Sequence, residues 1–124
     1  MGLVGYFTAE IGLWSELHTY SGGLGVLAGD HVKSAADAEI DLVGVTLLYR
    51  EGYGRQHIDD QGNQTESFGA IDPADHLIDT GLDITLPLDG GTLHAKIWKV
   101  EVVGVTGHVV PVYFMDTHHP NCLL

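Results

Sequence analysis

The apolar positions change their period along the chain, and the changes divide it into elements. Leu3-Val4-Gly5-Tyr6-Phe7-Thr8 is a short, continuous, β-prone run and predicts a buried first strand. Leu24, Leu27, Ala28, His31, Val32, Ala35 and Glu39 then fall on three- and four-residue steps, which predicts one buried stripe of a helix. Leu42-Val43-Gly44-Val45-Thr46-Leu47-Leu48-Tyr49 is the clearest buried strand. Strand, helix and strand make a βαβ unit over about residues 3–49, which calls for a parallel pair of strands.

Beyond Tyr49 the spacing shortens. Arg50 to Gln56 turns the chain, and Tyr53–Ile58 with Asn63–Phe68 predict a hairpin about Asp59-Asp60-Gln61-Gly62. Ile71 to Gly81 is polar and irregular. Asp83–Leu88 alternates, turns at Asp89-Gly90-Gly91 and resumes over Thr92–Val105; Thr106-Gly107-His108 then leads into Val109–Met115. The part from about 53 to 115 is therefore β-rich, with antiparallel strands expected to extend the sheet. The fold class is α/β.

The length of 124 residues and 44% hydrophobic content fit one unit, and neither a repeat nor a linker divides it. No unbroken apolar run is long enough to span a bilayer, and the start lacks the pattern of a secretion signal, so a cytoplasmic location without a membrane is expected. Seventeen acidic residues face five basic ones, a formal net charge of −12. That balance disfavours nucleic acid and anionic membranes as partners, because the basic footprint is missing. It fits a cytoplasm of high salt, where screening relieves self-repulsion. The single cysteine, Cys122, excludes an internal disulfide. Of eight histidines only His118 and His119 adjoin, and neighbours on an extended segment point apart, so no metal site is expected. A Ser21–His31–Asp30 triad has no nucleophile elbow to support it.

The candidate chemistry lies in Thr19-Tyr20-Ser21-Gly22-Gly23-Leu24-Gly25, which runs straight into the predicted helix. Ser21 is the expected helix N-cap, its hydroxyl accepting from an orphan amide. Gly22 and Gly23 leave backbone N–H groups unshielded by any Cβ, and free amides at a helix start attract anions. The spacing is neither the dinucleotide fingerprint nor the P-loop, so a second reading stands beside this one: the glycines let the chain turn tightly into a closely packed helix. Glu10 follows the first strand, where open α/β sheets place ligands. Arg50 and Arg55 are available to an anion or to neighbouring acids.

Taken in order, Tyr6–Leu13, Thr19–Asp30 and Val43–Tyr53 closely resemble the N-terminal part of bacterial and archaeal α-glucan (glycogen, starch, maltodextrin) phosphorylases. The likeness continues through Gly62–Glu66, Asp72–Asp75 and Val110–Thr117. It implies a Rossmann-like half of a two-domain, GT-B type glycosyltransferase, with the active site in the cleft between the halves. The implied reaction moves a terminal α-1,4-linked glucose to phosphate and gives glucose 1-phosphate, with pyridoxal phosphate as cofactor. The partners would be α-1,4-glucan, glucose 1-phosphate and phosphate. On this likeness Gly22 and Gly23 face the phosphates, Leu24 and Glu10 lie at the sugar subsite, and Ser21 and Gly25 support the loop. The family often carries methionine or leucine where Ala9 stands, and an aromatic where Gly54 and Asn63 stand. The cofactor lysine and its domain belong to the family's second half, outside these residues. No catalytic residue is therefore expected in this fragment, and alone it is expected to be inactive, with its exposed sheet edges open to self-association. A fragment of a starch or glycogen synthase is disfavoured by Tyr20-Ser21, where those enzymes carry a lysine. A non-catalytic sugar- or phosphate-binding module is the reading from another class.

Overall fold

A computed structural model describes residues 2–14, 17, 19–49, 55–67 and 73–117, with 55–57 and 65–67 described by backbone alone. The elements are β1 (Val4–Phe7), α1 (Gly23–Asp37), β2 (Leu42–Leu47), β3 (Arg55–Ile58), β4 (Gln64–Ser67), a single 3-10 turn (Pro73–Asp75), β5 (Ile78–Leu88), β6 (Gly91–Val103) and β7 (Val109–Asp116). Five strands form one mixed sheet in the order β1-β2-β7-β6-β5, and β3 pairs with β4 as a separate antiparallel ribbon.

The βαβ unit forms as its periodicity predicts, with Val4 opposite Leu42 and Phe7 opposite Val45 in a parallel pair. But β1 is not the buried strand expected: it takes the sheet's edge and leaves Leu3, Val4 and Phe7 exposed. The second half departs from the expected run of added antiparallel strands, since β3 and β4 stand apart from the sheet and the last strand pairs in both senses. β5, β6 and β7 form an antiparallel meander, but β7 also pairs in parallel with β2, Gly44 opposite Val112 and Leu47 opposite Met115. The last strand thus sits at the centre of the sheet, and β1, β2 and β7 end together at one edge. The stretch expected to be irregular up to Gly81 already belongs to β5 from Ile78. A register shift between Asp79 and Leu82 breaks its alternation, and the Thr80 hydroxyl donates to Ile97 O at 2.6 Å across the irregularity. The ribbon turns where expected, with Gly62 at φ +82° and the Asp59 carboxylate accepting from the amides of Gln61 and Asn63. Tyr53, Gly54 and Phe68 lie outside the described residues.

The core lies between the sheet and α1. Trp98, Val100 and Val102 of β6 and Val110, Val112 and Phe114 of β7 alternate onto the helix side, where they meet Ala28, Val32, Ala35 and Ala36. The segment between β1 and α1 crosses this layer as a strap and contributes Ile11, Leu13 and Leu17, all buried. Burial of each such aliphatic side chain stabilises by roughly 1.5–3 kcal/mol. Asp116 is 1% exposed and accepts from the Trp98 indole at 3.1 Å, so the central strand ends on a buried carboxylate with a donor to meet it.

The buried stripe of α1 is not the one its hydropathy suggests. Gly25, Ala28, Gly29, Val32, Ala35 and Ala36 face inward, whereas Leu24 and Leu27 are 55% and 64% exposed and His31 lies outside, stacked on Tyr6. Glu39 is not helical at all. It follows the Ala38 C-cap at φ 59°, while the amides of Glu39 and Ile40 close back on Ala36 O and Ala35 O. The cause is the strap. A Cβ on Gly29 would collide with the carbonyl of Gly12, so only a face of glycine and alanine lets helix and strap approach this closely.

Candidate functional site

Three parallel strands ending at one edge define where chemistry can gather, because the chain must leave each strand there in loops. β1, β2 and β7 end at Phe7, Leu47 and Asp116, and α1 starts beside them after the strap. Phe7, Thr8, Ala9, Val45, Thr46, Leu47 and Met115 line an open hollow of about 260 Å³ at these strand ends. The reading of the sequence did not anticipate it. Its signal lay in Phe7, Val45, Leu47 and Met115, which the strand registers bring to one locus.

The strap is fastened residue by residue. The Thr8 hydroxyl donates to Glu10 O at 2.8 Å, the Thr19 hydroxyl to Ile11 O at 2.5 Å, and the Ile11 amide to Thr19 O. The Gly12 amide then donates to Gly25 O at 2.8 Å, which ties the strap to the first turn of α1. Gly25 needs its missing side chain here, since a Cβ would overlap Tyr20 Cβ and approach Glu10 Oε2 to 3.3 Å.

At the helix start the expected cap is corrected. Gly22 is the N-cap, in extended geometry and with no side-chain cap bond. Ser21 instead gives its backbone amide to Glu10 Oε2 at 2.6 Å. This charge-assisted bond, roughly twice as strong as a neutral one, ties Ser21 to the strap through its main chain. Gly25 and Val26 donate to Gly22 O and begin the helix. Among the described residues, no group accepts from the amides of Gly22, Gly23 or Leu24, and all three residues are exposed.

The glycines separate into two kinds. Gly25 and Gly29 are demanded by packing, as the tight-turn reading requires. Gly22 and Gly23 are not: a Cβ on either would meet nothing within 4 Å, and neither has a positive φ. What their missing side chains leave open is solvent in front of three unpaired donors at the positive end of a helix dipole. Leu24 projects outward beside them.

The other candidates scatter. His31 packs against Tyr6 on the outer face of α1. Arg50, His118, His119 and Cys122 lie outside the described residues, as does the side chain of Arg55. Among the described residues no three His, Cys, Asp or Glu side chains converge on one point. Among the described residues no helix is long and apolar enough to cross a membrane. Two carboxylates are held below their ordinary range, both far from the loop in sequence. Asp59 is lowered chiefly by the Asn63 amide, and Asp79 chiefly by its bond to the Lys96 ammonium at 2.8 Å, then by the Gly81 amide.

Comparison with known proteins adds what geometry leaves open. The chain is 39% identical over 126 aligned positions to the glycogen phosphorylase of Mycobacterium tuberculosis, covering 95% of this chain. It is 38% identical over 123 positions to the maltodextrin phosphorylase of Thermococcus litoralis, covering 94% of this chain. Both of these relatives are named phosphorylases. A third, the glycogen phosphorylase of Aquifex aeolicus, matches at 41% over 61 positions. The chain spans 14% of the length of each of the first two phosphorylases. No family model matches the chain.

Proposed function

We propose that this chain is the N-terminal portion of an α-glucan phosphorylase, within a Rossmann-like domain of a GT-B type glycosyltransferase, and that it brings the Gly22-Gly23 loop to an active site completed by residues outside it. The reaction is transfer of a terminal α-1,4-linked glucose to phosphate, giving glucose 1-phosphate, in the cytoplasm. The observation that carries this reading is the contrast among the glycines, taken with the phosphorylase relatives. Where packing needs no glycine, at 22 and 23, the chain nonetheless has two, in front of open amides.

The residues present fit one part of pyridoxal phosphate. Open helix-start amides suit a phosphate group, whether of cofactor or substrate. The aldehyde end finds no partner here. Lys96 is bonded to Asp79 and Lys99 to Glu101, while Lys33 lies two turns and more along α1 from the loop. The cofactor's lysine therefore belongs to another part of the enzyme, and the 124 residues alone have no phosphorylase activity. Gly22 and Gly23 approach phosphate, Leu24 borders the sugar, Gly25 and Ser21 shape the loop, and Glu10 stands behind it.

Grafting this chain in place of the matching segment of the Thermococcus litoralis maltodextrin phosphorylase tests the proposal. The chimera should form glucose 1-phosphate from maltodextrin and phosphate, the chain alone should not, and Gly23→Val in the chimera should cost about tenfold to a hundredfold in kcat, as expected when a backbone donor is blocked. A folded, cofactor-loaded chimera without activity would overturn it.

A further inference from the structure

Glu10 places a negative charge beside the start of α1, the end read as receiving an anion, and simple Coulomb reasoning makes it a hindrance. Its geometry says otherwise. Oε2 takes the Ser21 amide at 2.6 Å, and the space it occupies exists because Gly25 has no Cβ. Ser21 is the residue before the Gly22 N-cap, so fixing its amide fixes the plane of the peptide that enters the loop. The same stretch is pinned from the other side by the Gly12 amide on Gly25 O and by the Thr19 hydroxyl on Ile11 O. Three hydrogen bonds between the two segments thus hold the chain at and on either side of this peptide, while the three amides after it stay open.

We infer that Glu10 is a positioning residue, which sets the conformation of the glycine loop from behind through Ser21 and does not itself contact the anion. This inference rests on the reading of Gly22–Leu24 as the anion-facing end. It carries a sign opposite to electrostatic intuition: deleting the carboxylate loosens the loop and weakens phosphate binding, although a negative charge has been removed. Glutamine, which keeps an oxygen acceptor for the Ser21 amide, preserves the loop. Gly25→Ala displaces Tyr20 and Glu10 and reproduces the loss, so adding Glu10→Ala to Gly25→Ala weakens phosphate binding no further than Gly25→Ala alone.

The test uses the isotope-labelled 124-residue chain, followed amide by amide, with inorganic phosphate and glucose 1-phosphate as separate probes. In the unaltered chain Ser21 should exchange its amide proton slowly, and phosphate should shift Gly22, Gly23 and Leu24 but not Ser21. Glu10→Ala should speed Ser21 exchange at least tenfold, leave the strand amides protected and weaken phosphate by about tenfold, the scale of one lost charged hydrogen bond. Glu10→Gln should behave like the unaltered chain with both probes. Tighter phosphate binding in Glu10→Ala, or unchanged Ser21 exchange, overturns the proposal. So does a loss in Glu10→Gln confined to glucose 1-phosphate, which would mark Glu10 as a direct sugar contact. If neither probe shifts the loop of the unaltered chain, the anion-site reading fails; the Ser21 exchange of the variants still decides the positioning role.

Discussion

Replacing Gly29 by alanine tests the central packing claim, because two opposed effects of known size meet there. In an isolated helix the change stabilises by about 1 kcal/mol, since alanine loses less backbone freedom than glycine. In this fold the new Cβ would strike the Gly12 carbonyl, and the atom struck belongs to the backbone, so no rotamer change relieves it. Relief requires the strap to withdraw from α1 by about an ångström or more, given an ordinary C···O contact near 3.3 Å. Overpacking of this kind costs about 3 kcal/mol at the upper end of its usual range. The withdrawal also stretches the bond from the Gly12 amide to Gly25 O, worth about 1 kcal/mol. The balance is a loss of about 3 kcal/mol. For a chain of this size that corresponds to about 12 °C in Tm, or about 2 M in the urea midpoint for a slope near 1.5 kcal/mol/M. Gly23→Ala is the internal control. It adds the same methyl to the same helix where nothing lies within 4 Å, and should leave the midpoint unchanged or raise it slightly. Urea denaturation of both variants followed by circular dichroism decides the matter. A Gly29→Ala chain as stable as the parent, or a Gly23→Ala chain equally damaged, would refute the reasoning.

Three further outcomes follow from single sites. Thr46→Val should stabilise by about 1 kcal/mol in the same assay, because the Thr46 hydroxyl is buried without a partner and its desolvation is uncompensated. Glu39→Gly should also stabilise by about 1 kcal/mol, since Glu39 holds the left-handed conformation that closes α1 and that glycine adopts without steric cost. The Asp79 carboxyl is held below its ordinary value, so the folded state gains from it above that value and loses the gain as acid protonates it; stability measured from pH 5 down to pH 2 should fall more steeply in the parent than in Asp79→Asn, with the difference opening below about pH 4.

Where side-chain volume carried the signal, the sequence was legible. Leu42–Leu47 is a strand whose alternate residues bury, while Leu3–Thr8 shows its β propensity but sits at the sheet's edge with Leu3, Val4 and Phe7 exposed. Asp59–Gly62 is a turn because its carboxylate and glycine satisfy the backbone there. The face of α1 was misread for the complementary reason. Hydropathy weights leucine far above glycine, so Leu24 and Leu27 drew the stripe toward themselves, while the contact that decides the helix's rotation is made by residues with almost no side chain. The pairing of β7 with β2 was also out of reach, because the meander's local pattern says nothing about which neighbour its last strand finds. At the site, the open amides at Gly22 and Gly23 were legible from composition, but the Ser21 cap was not. The cap falls one residue on, at Gly22, and Ser21 is held through its main chain by Glu10, eleven residues away, a contact that no local rule supplies.

The glycine contact also binds stability to the site. Gly25 accepts the Gly12 amide through its carbonyl, and through its absent Cβ it makes room for Tyr20 and for the carboxylate that holds Ser21. Any change at Gly25 therefore acts on the packing of α1 and on the loop in front of it at once. Gly29, one turn further along the same face, shares the packing and the Gly12 contact but touches neither Tyr20 nor Glu10. Binding lost in a Gly25 variant beyond what a Gly29 variant of equal stability loses measures what Tyr20 and Glu10 contribute to the loop. Without that subtraction, damage to the anion-facing end and damage to the fold would look the same.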